Sequence, residues 1–283
     1  MWYYEIAGLR VAIEEVPGIP RMVNFEPFQC EPGTPDIQYY VRPYPVETSP
    51  VPPEADMELM SQDLVNKLYL HDGVIYKRVA MQEGDPRTMW FVQKIGNWSE
   101  ATVYVPDNWL DFIGFGNVFA FEKTLLPFRS LMLHCALIEY QGQGIAFSAP
   151  SQTGKSTQAG LWEKHMGATI LNGDRAILRD VDGGIYAYGS PYAGSSDLFI
   201  KRRVPLRAII MLEQAKENTI EPIAQEDGLG LFISQSALPM WESNLFEMGV
   251  ETLEKIITGV PMYRLACLPD ESAVRCAHEC LGL

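Results

Sequence analysis

The sequence predicts an α/β protein preceded by a smaller β-rich domain. Three observations lead there. Short apolar runs separated by turn residues occupy the chain up to Pro106. A strand–turn–helix pattern, GIAFSAPSQTGKSTQAGLWEKHMG, spans Gly144–Gly167. Beyond it, apolar strand-like runs alternate with helical patterns, as in an α/β core. The change of pattern sets the expected domains at 1–106 and 107–283.

The elements follow in order. YYEIAGLRVAIE (Tyr3–Glu14) carries two apolar runs around a glycine. Five prolines fall within Pro43–Pro53. They remove backbone donors and favour extended chain, so residues 42–53 read as a surface crossing, or as a segment for a proline-reading partner. GVIYKRVAM, TMWFVQKI and EATVYVP read as three strands separated by the turn-prone EGDP and GN. Val103 and Val105 alternate with Thr102 and Tyr104, as on a half-buried strand.

From Pro106 to Pro127 the chain is apolar and helix-like, with Pro106 and Asp107 suited to a helix start. LMLHCALIEY and GIAFSA read as two buried strands joined by QGQG. TQAGLWEKHMG reads as a helix closed by Gly167. ATILNGDRAILR, IYAYGSPY and LRAIIMLEQ supply further strands, and the tail alternates helical patterns with MYRLACLP.

Composition narrows the function. The 283 residues carry a formal charge of −14, which disfavours the broad basic surface that neutralises nucleic-acid phosphates. It leaves room for a small basic pocket. No apolar stretch is long enough to span a bilayer, and Met1–Arg10 lacks the pattern of a secretory signal. Five scattered cysteines fit a reduced, cytoplasmic protein with free thiols. In CAHEC, Cys276 and Cys280 stand one helical turn apart, without the paired spacing of zinc sites.

The chemistry concentrates in Ala149-Pro150-Ser151-Gln152-Thr153-Gly154-Lys155-Ser156-Thr157. This is a phosphate-binding (Walker A) pattern with alanine at its first position. In such a loop successive amides and a helix N-terminus surround a phosphate. Gly154 lets the backbone approach, Lys155 offers a mobile ammonium, and the Ser156 hydroxyl suits Mg²⁺. Alanine at 149 strains the turn only if that residue needs a positive φ. Asp174 closes the apolar run after the helix. It suits Mg²⁺ or the proton of an attacking hydroxyl, although Asn-Gly-Asp also makes an ordinary strand-end turn. Glu213 ends the strand Ala208–Leu212 in the manner of a Walker B acid, or of any strand-ending glutamate.

The stretch LHCALIEYQGQGIAFSAPSQTGKSTQAGLWEKHMGATILNGDRAIL resembles the catalytic core of HPr kinase/phosphorylase, within the superfamily that includes phosphoenolpyruvate carboxykinase. The resemblance implies a P-loop core using ATP and Mg²⁺. It places His134 near the transferred phosphate, Gly154, Lys155 and Ser156 on the phosphates, and Asp174 at the second of two consecutive acids. It also implies assembly of copies of the chain. The departures are Gly173 at the first acid, Cys135 where the family has glycine, and Thr157 where it has an acid. Lys201–Arg203 follow a glycine-serine loop; Arg203 suits either phosphate neutralisation or a solvated basic turn.

The sequence therefore leads to an ATP/Mg²⁺-dependent kinase acting on a serine-type hydroxyl in a peptide, protein or small molecule. The alternative is a nucleotide-binding module that recognises a peptide or partner without turnover, which Gly173 favours. A plain ATP hydrolase fits less well, since no arginine finger is evident.

Overall fold

The computed structural model of the chain describes residues 1–19, 21–63, 66–80, 87–107, 113–236 and 238–283. Contacts divide it into two units, Met1–Thr124 and Leu125–Leu283.

The first unit is built on one eight-stranded sheet. Its strands are β1 (Trp2–Ile6), β2 (Leu9–Ile13), β3 (Ile37–Tyr44), β4 (Glu58–Gln62), β5 (Asn66–His71), β6 (Val74–Ala80), β7 (Thr88–Lys94) and β8 (Glu100–Pro106). Their order is β1-β2-β3-β8-β7-β6-β5-β4. The β2–β3 and β3–β8 pairs are parallel. Ala7 (φ 53°) and Gly8 (φ 75°) close the first hairpin, a two-residue turn whose twist matches its strands. The three strands expected before Pro106 are β6, β7 and β8; the EGDP turn lies outside the described residues.

The proline-rich crossing is partly sheet. Pro43 and Tyr44 finish β3, and Tyr44 and Val51 are buried with Met57, Tyr69 and Trp90. Pro106 and Asp107, expected at a helix start, stand at a strand end, and residues 108–112 lie outside the described residues. Pro106 ends β8, and the Asp107 amide donates to the Tyr44 carbonyl at 2.9 Å, so the sheet continues through them. Two short helices follow, α1 (Ile113–Val118) and α2 (Phe121–Thr124), separated by Ala120 in left-handed backbone (φ 48°).

The break between units falls at Thr124 rather than at Pro106, and aromatic packing supplies the reason. Phe119 and Phe121 pack edge-on against the buried Tyr39 at 4.8 and 5.7 Å between ring centroids. The Tyr39 hydroxyl donates to the Phe119 carbonyl and meets Thr124 Oγ1, each at 2.8 Å.

The second unit contains β9 (Ser130–Tyr140), β10 (Gln143–Ser148), α3 (Lys155–Met166), β11 (Thr169–Asn172), β12 (Arg175–Val181), β13 (Gly184–Tyr188), β14 (Arg203–Gln214) and β15 (Thr219–Pro222). It is completed by α4 (Gln225–Gln235), α5 (Ser243–Gly259), β16 (Met262–Cys267) and α6 (Glu271–Leu281). Two long strands are each shared between two sheets. The first half of β9 pairs with β12 and its second half with β10 and β11. The first half of β14 pairs with β13, and its second half lies parallel to both β10 and β16. The pairings β10–β9–β12–β13–β14 thus return to β10 as a ring.

Gln141 (φ 51°) and Gly142 (φ 75°) form the tight turn between β9 and β10. The core beneath α3 is apolar, with Phe147, Trp162, Ile210, Leu265 and Val274 all fully buried. α3 ends where Gly167 turns left-handed (φ 69°) and caps the last carbonyls. Among the described residues no helix is long and apolar enough to cross a membrane.

Candidate functional site

The turn between β10 and α3 is anchored at both ends. Ser148 and Ala149 are fully buried, and β10 is held on one side by β9 and on the other by β14. Within the turn, Gln152 (φ 65°) and Gly154 (φ 119°) take positive φ, while Ala149 does not. The alanine at the first position is therefore unstrained, and the need for glycine falls on Gly154. Gln214, at the end of β14, donates from Nε2 to the carbonyls of Gln152 and Thr153 at 3.4 Å.

Lys155 opens α3 and is nearly buried. Its ammonium donates to the Ala149 and Pro150 carbonyls at 2.9 and 3.2 Å. Burial pulls its pKa below the ordinary lysine value; nearby Asp174 and Cys135 oppose that shift. Ser156 and Thr157 are exposed on the first turn of the helix. Gly154 provides no side-chain cap, so the first-turn amides are open to an outside acceptor.

His134 and Asp174 meet. Arg175 pairs with His134 across β12 and β9, Cys135 with Ser148 across β9 and β10, and Ser148 with Met211 across β10 and β14. One row across four strands thus carries Asp174, His134, the start of the turn and, two residues on, Glu213. Asp174 stands between β11 and β12, which both pair with β9, so β9 separates these strands from β10 and the turn that follows it. His134 Nε2 stands 3.5 Å from Asp174 Oδ1, and Arg175 Nε stands 3.6 Å from Oδ2. The His134 hydrogen bond holds the Asp174 carboxyl below the usual range; burial opposes it, and Arg175 and Lys155 add to it. Burial pushes the neighbouring Cys135 thiol up to about 12, which removes it as a nucleophile near neutral pH.

The Asn172–Asp174 turn is rigidly built. Asn172 is fully buried, and its Oδ1 accepts from the amides of Asp174 and Arg175 at 3.0 and 2.7 Å. Its Nδ2 donates to the carbonyls of Ser190 and Tyr192, both at 3.1 Å. The loop 193–196 packs onto this turn. A Cβ on Gly173 would lie 2.0 Å from Ser196 Oγ, and one on Gly194 would lie 2.8 Å from Asp174 Cγ. Ser196 thus fills the space that a side chain at 173 would need.

Two clefts flank the β10–α3 turn and share Ser234 and Gln235 of α4. The larger, about 520 Å³, is walled by Ala149, Pro150, Gln152, Glu213, Leu231 and Arg264 among others. The smaller, about 340 Å³, is walled by His134, Ser151, Asp174 and Arg175, with Met132 and Ser236. Glu213 is in an ion pair with Arg264 at 3.1 Å. Arg203 lies elsewhere, at the far end of β14, with its guanidinium over the Tyr186 ring at 3.6 Å and bound to Asp182 at 2.7 Å. Among the described residues no three His, Cys, Asp or Glu side chains gather as a metal cluster. Sequence reasoning missed Arg175, although it adjoins Asp174. It also missed Gln214, Arg264 and Ser234–Ser236, whose places depend on pairings distant in sequence.

No curated protein matches the chain. A solved structure of the Hpr(Ser) kinase/phosphatase from Coxiella burnetii is similar at 10% identity and a TM-score of 0.32, over 53% of this chain and 92% of that one. The family described as SynChlorMet cassette protein ScmC matches residues 118–268, more than half of the chain, and the protein belongs to that family.

Proposed function

We propose that the protein is a kinase that binds ATP with Mg²⁺ and transfers the terminal phosphoryl group to a hydroxyl. One observation carries the reading. The turn that leads into the uncapped N-terminus of α3 walls both clefts, through Ala149, Pro150, Gln152 and Thr153 in the larger and Ser151 in the smaller, and the His134–Asp174 pair lines the smaller one.

The donor set fits both groups. An uncapped helix N-terminus and a lysine suit phosphate oxygens. The Ser156 hydroxyl and the ionised Asp174 would hold Mg²⁺, an ion that takes few protein ligands and keeps water and phosphate oxygens for the rest. When bound, Mg²⁺ neutralises phosphate charge. Ala149, Pro150, Gln152 and Thr153 wall the larger cleft, which this reading assigns to the nucleotide. Lys155 turns from the Ala149 and Pro150 carbonyls to the phosphates. Asp174 accepts the proton of the attacking hydroxyl, and His134 fixes the orientation of its carboxylate.

The test is direct titration of ATP with Mg²⁺, followed by transfer from labelled ATP to candidate hydroxyl acceptors. Lys155→Ala is expected to weaken ATP at least about tenfold, the loss of a charge-assisted contact. Absence of ATP binding by the wild-type protein would refute the reading. A second reading, nucleotide binding coupled to peptide or partner recognition without turnover, draws on Gly173, where Ser196 leaves no room for a second carboxylate. Tight ATP binding with no transfer to any acceptor would favour it.

A further inference from the structure

The smaller cleft has a chemistry that narrows the acceptor. Its volume, about 340 Å³, is at the low end of small-molecule sites, which run from roughly 300 to 1,000 Å³. Its walls are mainly polar. Asp174 and Arg175 share the lining with His134, Ser151 and the α4 end, Ser234–Ser236. Arg175 is half exposed, and Asp174 is its single acidic partner among the described residues. An arginine so placed keeps donors for a second anion, and its planar fork matches a carboxylate.

The spacing adds the decisive constraint. Arg175 Nε lies 3.6 Å from the Asp174 oxygen, so groups bound by the two side chains must be close together in the ligand. We infer that the acceptor is a small hydroxy acid, its hydroxyl on Asp174 and its carboxylate, two or three bonds away, on Arg175. This rests on the phosphoryl-transfer reading and deepens it. In the reaction the acceptor oxygen bonds to the γ-phosphorus of ATP as the bond to the β–γ bridging oxygen breaks. The hydroxyl proton passes to Asp174 and ADP leaves. A neutral alcohol satisfies Asp174 and leaves the arginine donors to water, so the site discriminates by charge.

The experiment uses the full chain with Mg²⁺ and a non-hydrolysable ATP analogue. D-Glycerate, L-serine and uncharged glycerol are titrated calorimetrically into wild type, Arg175→Gln and Arg175→Lys, and ATP affinity is measured in parallel. At least one of the two hydroxy acids is expected to bind about tenfold or more tightly than glycerol. Arg175→Gln is expected to erase that preference and Arg175→Lys to keep part of it, each compared with the same variant's own ATP affinity. Equal binding of glycerol, or a preference that survives Arg175→Gln, would overturn the inference while leaving ATP binding intact. Hydroxy-acid binding by a chain that does not bind ATP would instead overturn the kinase reading beneath it.

Discussion

Two turns in the second unit pair a glycine with a charged residue, Gly154-Lys155 and Gly173-Asp174, and the glycines are there for different reasons. Gly154 has φ 119° and nothing within 4 Å of an added Cβ. Its glycine serves conformation. Gly173 is not among the positive-φ residues, yet a Cβ there meets Ser196 Oγ at 2.0 Å. Its glycine serves space. A conformational requirement is local and shows in the sequence as part of a motif. A spatial requirement depends on a residue brought in by another loop, and the local sequence carries no trace of it.

Substitutions can break or sharpen this contrast. The largest effect is expected at the crowded turn. Gly173→Asp should destabilise the protein by about 1–3 kcal/mol, the usual cost of overpacking, read from urea unfolding. Adding Ser196→Gly should return most of that loss, because the clashing atoms are gone. A double variant as unstable as Gly173→Asp alone would show that the spatial account is wrong. If it gains phosphoryl transfer over wild type, the missing acid limits turnover.

At the open turn, Gly154→Ala should cost about 1–2 kcal/mol through backbone strain alone. No second-site substitution near it should rescue that loss, since no neighbour is in the way. Unchanged stability would place the glycine requirement elsewhere in the turn.

The smallest effect concerns the charge on Asp174. Its folded-state pKa is depressed from the ordinary 3.8, chiefly by His134. The ionised form therefore adds stability at pH values above 3.8, and that contribution disappears as pH falls through the folded value beneath it. Thermal melts of wild type and Asp174→Asn should differ at neutral pH and converge in that acid window. A gap independent of pH would assign the effect to packing.

The same distinction explains what was legible in the sequence. The strand pairs joined by Ala7-Gly8 and Gln141-Gly142 showed as apolar runs around turn residues, and Gly167 ended α3 as its position suggested. These signals are local. The meeting of His134 with Asp174 rests on a register across β9 and β12, and only the resemblance pointed to it. The place of Arg203 depends on which half of β14 pairs with β13. The unit boundary at Thr124 follows from Tyr39 gathering Phe119 and Phe121, which no turn signal near Pro106 reveals. The cleft walls contributed by α4 are long-range in the same way.

The sharing of β9 and β14 between two sheets bears on the timing of exchange with solvent. The second half of β9 is paired on both sides, by β10 and β11, and the second half of β14 is paired on both sides, by β10 and β16. Opening one pair leaves the others closed, so β9 and β14 should exchange their protons for deuterium last and together. The loops and α4 can open far sooner. The β9–β12 pairing that brings His134 to Asp174 is then expected to exchange more slowly than the α4 wall of the clefts.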